Sequence, residues 1–363
     1  MKRIQQMILR VLAAAVLLVG CAGNRGSAAP TGVPAQPDGE VVLYCSLPEK
    51  QLRRLKAGFE EQYPHITLRY HYASTGKILN KLAAQQQTAH VEADLVWVDS
   101  PADYIRLKKE GLLTPYCSPK AVDLNPAFLE AENYYTGARI SSFVIAYNTR
   151  LVPQEEAPKS WQELLEPRWK GRVVMADPAD AGSTSHFVGA LMLREGYGQD
   201  YFSRLRDNEC MLESSTGATH ARVARGDYPI GICLDYAVDT LAESGEAIAG
   251  VYPVEDMLSV YSPLGLVAGG PNQDNARLLY DYILSRAGQE NLVASHLHSV
   301  RNDVVQPALD LQSLLGAGSS AQAALIYQYR GEVLAAFDGI FFKGRTLSGK
   351  RRGRAREDSA APL

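Results

Sequence analysis

VVLYC, residues 41–45, is an apolar run of strand length, and the segments that follow it decide the fold. From Pro48 onward Leu52, Leu55 and Phe59 recur at helical spacing, with Lys and Glu between them. Tyr63-Pro64 ends that run, because the residue before a proline is pushed out of the helical region. ITLRYHY (66–72) alternates as a second strand, and Ser74-Thr75-Gly76 leads into Ile78, Leu79, Leu82 and Ala83 on one helical face. DLVWV (94–98) is a third strand, after which Asp99-Ser100-Pro101 opens a helix that Gly111 closes. Strand followed by helix three times over predicts a mostly parallel sheet with crossover helices.

The pattern then restarts. FVIAY (143–147) reads as a strand, Ser160-Trp161-Gln162-Glu163 as a short helix, and 173–176 as a strand ending at Asp177-Pro178. Gly182-Ser183-Thr184-Ser185 precedes an apolar helix over 187–193. A strand near Met211, a helix through Val223, strands over 229–234 and 264–268, and a helix over 275–285 complete the series. The expectation is an α/β protein of two lobes with a ligand cleft between them. Residues 40–140 with 261–300 form lobe 1, and 141–260 with 301–345 form lobe 2.

The ends read differently. Lys2, Arg3 and Arg10 form a basic region before an apolar stretch at 11–20 that is too short to cross a bilayer but suits a signal peptide. Leu18-Val19-Gly20-Cys21 resembles the bacterial lipobox, in which the cysteine is acylated, so residues 1–20 are expected to be removed and Cys21 to carry the lipid. Two or three acyl chains hold a protein at a membrane where one does so only marginally. Residues 21–39, rich in Gly, Ala and Pro, read as a flexible tether, and 346–363 as a disordered basic tail. The chain is therefore expected to be exported and anchored at the bacterial cell envelope, facing the periplasm or the exterior. A formal charge of −3 argues against a nucleic-acid partner. Cys45, Cys117, Cys210 and Cys233 permit disulfides without choosing a pairing, and they fit no zinc spacing. Cys45 and Cys233 lie inside apolar strands and read most simply as buried thiols.

In open parallel sheets ligands bind beyond the carboxyl ends of the strands, where helix N-termini present unpaired N–H groups and partial positive charge. Small hydroxyl residues fall at those places: Ser46, Ser74-Thr75-Gly76 and Ser100 in the first lobe, Ser183-Thr184-Ser185 and Ser214-Ser215-Thr216-Gly217 in the second. One such residue usually caps its helix. Several on one rim favour an oxyanion site, and a metal held with a synergistic anion would use similar groups. Asp99, Asp235 and Tyr236 are placed to receive a cationic group, the tyrosine by cation–π contact, and Arg139 and Lys77 are candidate cations for an anion. Glu255-Asp256 is read as lying at the hinge or the rim.

The segments VLYCSLPE (42–49), FEEQYP (59–64), ADLVW (93–97), VIAYNT (144–149), PLGLV (263–267) and SVRND (299–303) resemble the type II binding-protein family of ABC importers for iron(III), thiamine, polyamines and organophosphates. The resemblance implies a monomeric solute-binding protein that closes its lobes on a small molecule and delivers it to a permease and its ATPase. STGKI (74–78) and ARGDYPIGI (224–232) look most like the branch that binds 2-aminoethylphosphonate. An iron(III) protein is the alternative. Its two adjacent tyrosines are matched here by Asp235-Tyr236-Ala237, with one phenol in place, and Tyr134-Tyr135 does not match the motif. No cofactor or metal set is read. The chain shows no G-x-S-x-G, H-E-x-x-H or phosphate-loop motif, Ser185 and His186 face different ways on a helix, and His296 and His298 are too few to imply a metal, so an enzyme is not expected. A sensory or adhesive lipoprotein on the same fold is a third possibility.

Overall fold

The computed structural model describes residues 37–88, 90–253, 257–306, 314 and 320–342. The signal segment, Cys21, most of the tether, Glu255-Asp256 and the basic tail lie outside those residues.

The first half begins as the sequence predicts. β1 (Gly39–Cys45) pairs in parallel with β2 (Ile66–Tyr72) and with β3 (Leu95–Trp97), so Cys45 lies opposite both Tyr72 and Trp97 at one edge. Helix α1 (Glu49–Gln62) buries Leu52, Leu55 and Phe59 on one face and stops at Tyr63. Burying each such side chain contributes about 1.5–3 kcal/mol. Helix α2 (Thr75–Gln87) buries Ile78, Leu79 and Leu82, and α3 (Pro101–Lys109) carries its proline in the first turn, where no N–H is missed. The left-handed Gly111, with φ of 70°, follows the end of α3.

Two long strands join this half to the second. After the short β4 (Leu113–Thr114) comes β5 (Thr136–Asn148), buried along its whole length. Residues 136–142 of β5 pair antiparallel with β10 (Ser259–Val267), and residues 143–147 pair with β8 (Ile230–Leu234). β10 also pairs antiparallel with β3. Beyond β8 lie β6 (Val173–Ala176) and β7 (Met211–Glu213), parallel to one another, with β6 parallel to β8. β9 (Ile248–Val251) pairs with β5. The strand order is thus β2-β1-β3-β10-β5-β8-β6-β7, two parallel groups with antiparallel strands between them.

Helices α4 (Gly182–Met192), α5 (Gly198–Asp207), α6 (Thr216–Arg225) and α7 (Asp235–Glu243) serve the second half. Helices α8 (Gln273–Leu284) and α9 (Arg286–Val293) return to the first. The C-terminal helix α10 (Ser320–Phe342) packs on α3, α4 and α5. Strand periodicity sorts the core: Val41, Leu43 and Cys45 join the main apolar cluster with Trp97, Trp161 and Phe187, while Tyr44 faces a second cluster with Ile78, Val96 and Tyr104. Cys45, Cys117, Cys210 and Cys233 are all free thiols, and Cys45 and Cys233 are buried. Burial pushes the Cys45 thiol up to about 12.

Where the sequence and the structure differ, the cause is local. The short helix expected from Ser160 is a 3₁₀ helix and begins two residues later, over Gln162–Leu165. α4 begins five residues before the expected Phe187, because Gly182-Ser183-Thr184-Ser185 is itself helical. β5 and β10 begin earlier than the apolar runs, since their first residues are polar yet buried against one another, as in the Ser142–Ser259 hydroxyl pair at 2.7 Å.

Candidate functional site

Both parallel groups end toward the same place. After β2, β3 and β6 the chain turns directly into α2, α3 and α4. The first N–H groups of each helix have no partner within it. Ser74 stands at the N-cap of α2 without capping it, and its Oγ is buried with no hydrogen-bond partner among the described residues. Ala181, at the N-cap of α4, has no hydroxyl to offer. Both helix ends therefore present main-chain donors rather than a capped terminus.

The ends of α2 and α4 meet. Gly76 N donates to Asp180 O at 3.4 Å. A Cβ placed on Gly182 would lie 2.7 Å from Thr75 Cγ2, 2.8 Å from Thr75 Oγ1 and 2.8 Å from Asp99 O. Glycine is required there by close approach, not by backbone conformation. Thr75, Asp99, Ser183, Thr184 and Ser185 are all buried around this contact or on the first turns beside it.

Behind it lies a charged cluster. Arg139, on β5, is 0% exposed. Its Nη2 is 2.6 Å from Asp99 Oδ1, and its Nη1 donates to Ser141 Oγ at 3.2 Å. Its Nε has no hydrogen-bond partner among the described residues. Trp97 and Tyr236 flank the guanidinium, with ring centres 5.4 and 5.8 Å from its carbon. Burial opposes the charge, but the Asp99 carboxylate, Tyr236 and Cys45 together hold the group above its ordinary pKa. Asp99 in turn accepts from Ser262 Oγ, and from Ser46 Oγ at 3.3 Å. A fully buried cation with an unused donor has charge to spare for an anion.

The remaining expected residues are placed as follows. Ser100 Oγ donates to Asp103 at 2.5 Å, so that hydroxyl is already engaged. Ser215 caps α6 by accepting from Ala218 N at 3.1 Å, leaving Thr216 half-buried and Gly217 exposed, the latter near Tyr72 Oη. Asp235 is surrounded by Tyr236 N at 2.8 Å, His298 Nε2 at 2.8 Å and Tyr252 Oη at 3.3 Å. Tyr236 is buried over Arg139, and burial pushes its phenol well up. Lys77 is exposed. Sequence reasoning missed Ser141 and Ser262; the signal available was a polar residue inside an otherwise buried strand. Among the described residues no group of three or more His, Cys, Asp or Glu side chains is gathered as a metal set, and no helix is long and apolar enough to cross a membrane. A cavity of about 270 Å³ lies elsewhere, between α4 and α10, lined by Ala190, Leu258 and Ile326 among others.

Helix ends from two α/β halves, converging on a buried cation, define a two-lobed binding protein of the type II periplasmic class. The family model of the bacterial extracellular solute-binding proteins matches residues 101–317, and the chain belongs to that family. A Salmonella typhimurium protein, provisionally named a 2-aminoethylphosphonate-binding periplasmic protein, is 26% identical over 62% of this chain and 66% of its own length. In fold the chain is similar to the periplasmic binding protein AfuA from Actinobacillus pleuropneumoniae, solved with exogenous fructose-6-phosphate bound. Their TM-score is 0.76 at 23% identity, over 85% of this chain and 100% of that one. It is similar also to iron-bound HitA from Pseudomonas aeruginosa, with a TM-score of 0.70 at 19% identity, over 84% and 99%.

Proposed function

We propose that this protein is the solute-binding component of an ABC importer, and that its guest is a small zwitterion bearing a phosphonate or phosphate ester, such as 2-aminoethylphosphonate. The observation that carries the reading is Arg139, fully buried, with a guanidinium nitrogen that has no hydrogen-bond partner among the described residues, behind the touching ends of α2 and α4. The anionic end is held by Arg139, by the hydroxyls of Thr75, Ser183 and Thr216, and by main-chain N–H groups of the two helix ends. The amine goes to Asp99 rather than to Asp235 or Tyr236, because an anion that takes Arg139 leaves Asp99 without its cation, whereas Asp235 keeps its three polar partners and Tyr236 faces Arg139. In this account the guest exchanges one internal ion pair, Arg139 with Asp99, for two external ones of matching sign. The Salmonella relative's name supports the phosphonate.

The hinge lies where β5 and β10 cross between the halves, at residues 140–141 and 260–261. Ligand contacts both halves, so the closed form becomes populated on binding. The closed form is what a permease and its ATPase recognise, and the body is a monomer tethered through acylated Cys21. An iron(III) protein is the second reading, supported by the likeness to HitA.

A thermal-shift screen tests the assignment. With 2-aminoethylphosphonate at a hundredfold excess over Kd the native state gains about 2.7 kcal/mol. A shift with ferric citrate alone, accompanied by tyrosinate-to-iron colour, overturns the phosphonate reading in favour of iron.

A further inference from the structure

The C-terminal helix reaches the binding loop from behind. Arg330, on α10, bonds to Asp103 Oδ1, and Asp103 is 1% exposed in the first turn of α3. The other Asp103 oxygen accepts from Ser100 Oγ at 2.5 Å. Ser100 is the neighbour of Asp99, whose carboxylate meets Arg139, Ser262 and Ser46. One chain of polar contacts therefore runs from α10 through Asp103 and Ser100 to the charged cluster. A second tie joins the same helices, with Lys109 Nζ 4.6 Å from the ring centre of Tyr327.

On its other side α10 holds the second half. A Cβ on Gly189 of α4 would lie 2.8 Å from Ile326 Cγ2, and the rings of Phe337 and Phe202 of α5 are 5.6 Å apart. These two contacts are apolar, and separating them exposes hydrocarbon to water. The contacts with α3 are polar: the Arg330 side chain, 30% exposed, meets the buried Asp103 carboxylate, and when they part Asp103 keeps Arg106 at 3.5 Å while water takes the guanidinium. When the two halves part, α10 therefore stays with α4 and α5 and releases α3.

We propose that Arg330 is a positioning residue: it holds the Asp99–Ser100 turn in its binding geometry and latches the closed arrangement through Asp103. The affinity consequence rests on the reading that ligand binds at Asp99 and Arg139; the latch itself does not. Two readouts keep these apart, calorimetry with 2-aminoethylphosphonate and small-angle scattering of the ligand-free protein. Arg330→Gln is expected to weaken the phosphonate about tenfold, within the range of ordinary coupling between sites, chiefly through faster dissociation. It is also expected to raise the ligand-free radius of gyration, while Arg330→Lys recovers most of both effects. An unchanged Kd in Arg330→Gln, when the wild-type protein binds the probe, overturns the proposal, even if thermal stability falls. If the wild type does not bind the probe the functional reading fails, and scattering alone decides the latch: an unchanged radius of gyration overturns it.

Discussion

Gly182 stands so close to Thr75 that a methyl group on it would lie 2.7 Å from Thr75 Cγ2, less than carbon atoms tolerate. Gly182→Ala should therefore act as a wedge between α2 and α4. The apo protein, free to sit slightly open, loses little stability, less than about 1 kcal/mol. The closed complex meets the full clash, so the Kd for 2-aminoethylphosphonate rises about 10- to 100-fold. Calorimetry beside a melting curve separates the two effects.

Arg139→Met removes the cation that the anion needs and strands Asp99 in a buried site. Breaking a buried pair from one side costs about 3–5 kcal/mol, so the single variant is both destabilised and unable to bind. Adding Asp99→Asn should return much of the stability, because a neutral amide is cheaper to bury. It should not return binding. Recovery of both in the double variant would assign Arg139 a purely structural role.

Acid should weaken the fold through a histidine next to the site. His220, on α6, accepts from Leu234 N at 3.1 Å, and burial lowers its pKa to about 4 from an ordinary 6.5. The folded protein thus keeps it neutral where the unfolded chain would bind a proton. The stability this represents is whole above pH 6.5 and drains away as pH falls toward 4, by about 3 kcal/mol. Urea unfolding at pH 7, 5.5 and 4.5 measures it. His220→Gln keeps an acceptor for Leu234 N and should flatten the slope; an equally steep slope in that variant assigns the acid sensitivity elsewhere.

The anchoring of α10 depends on aromatic packing. Phe337 is fully buried, 5.6 Å from Phe202 and 4.4 Å from Phe341 between ring centres. Phe337→Ala should cost about 3–5 kcal/mol. A loss below about 1 kcal/mol would mean that α10 contributes little to the folded body.

Most of the fold was legible because period alone identifies α1, β2 and α2: Leu52, Leu55 and Phe59 can share a face only on a helix, and 66–72 alternates only as a strand. The joining strands were half legible. The apolar part of β5 showed itself at 143–147, but residues 136–142 carry Arg139, Ser141 and Ser142, and nothing in their pattern says that partners across the sheet bury them. The rim residues were legible as types in places, since serine, threonine and glycine after a strand mark a helix start. Their engagement was not: that Ser100 is taken by Asp103, and Asp235 by His298 and Tyr252, depends on contacts between residues up to 63 positions apart. Arg330 escaped notice altogether, because a single arginine on a C-terminal helix looks solvated until its partner Asp103 is seen to be buried.

On the proposed reading an anion sits at the paired ends of α2 and α4 against Arg139. Isothermal titration of the wild-type protein with 2-aminoethylphosphonate, methylphosphonate and ethanolamine tests it most directly. The aminophosphonate is expected to bind tightest, methylphosphonate more weakly, and ethanolamine not at all. Binding of ethanolamine with no response to either phosphonate would contradict that reading.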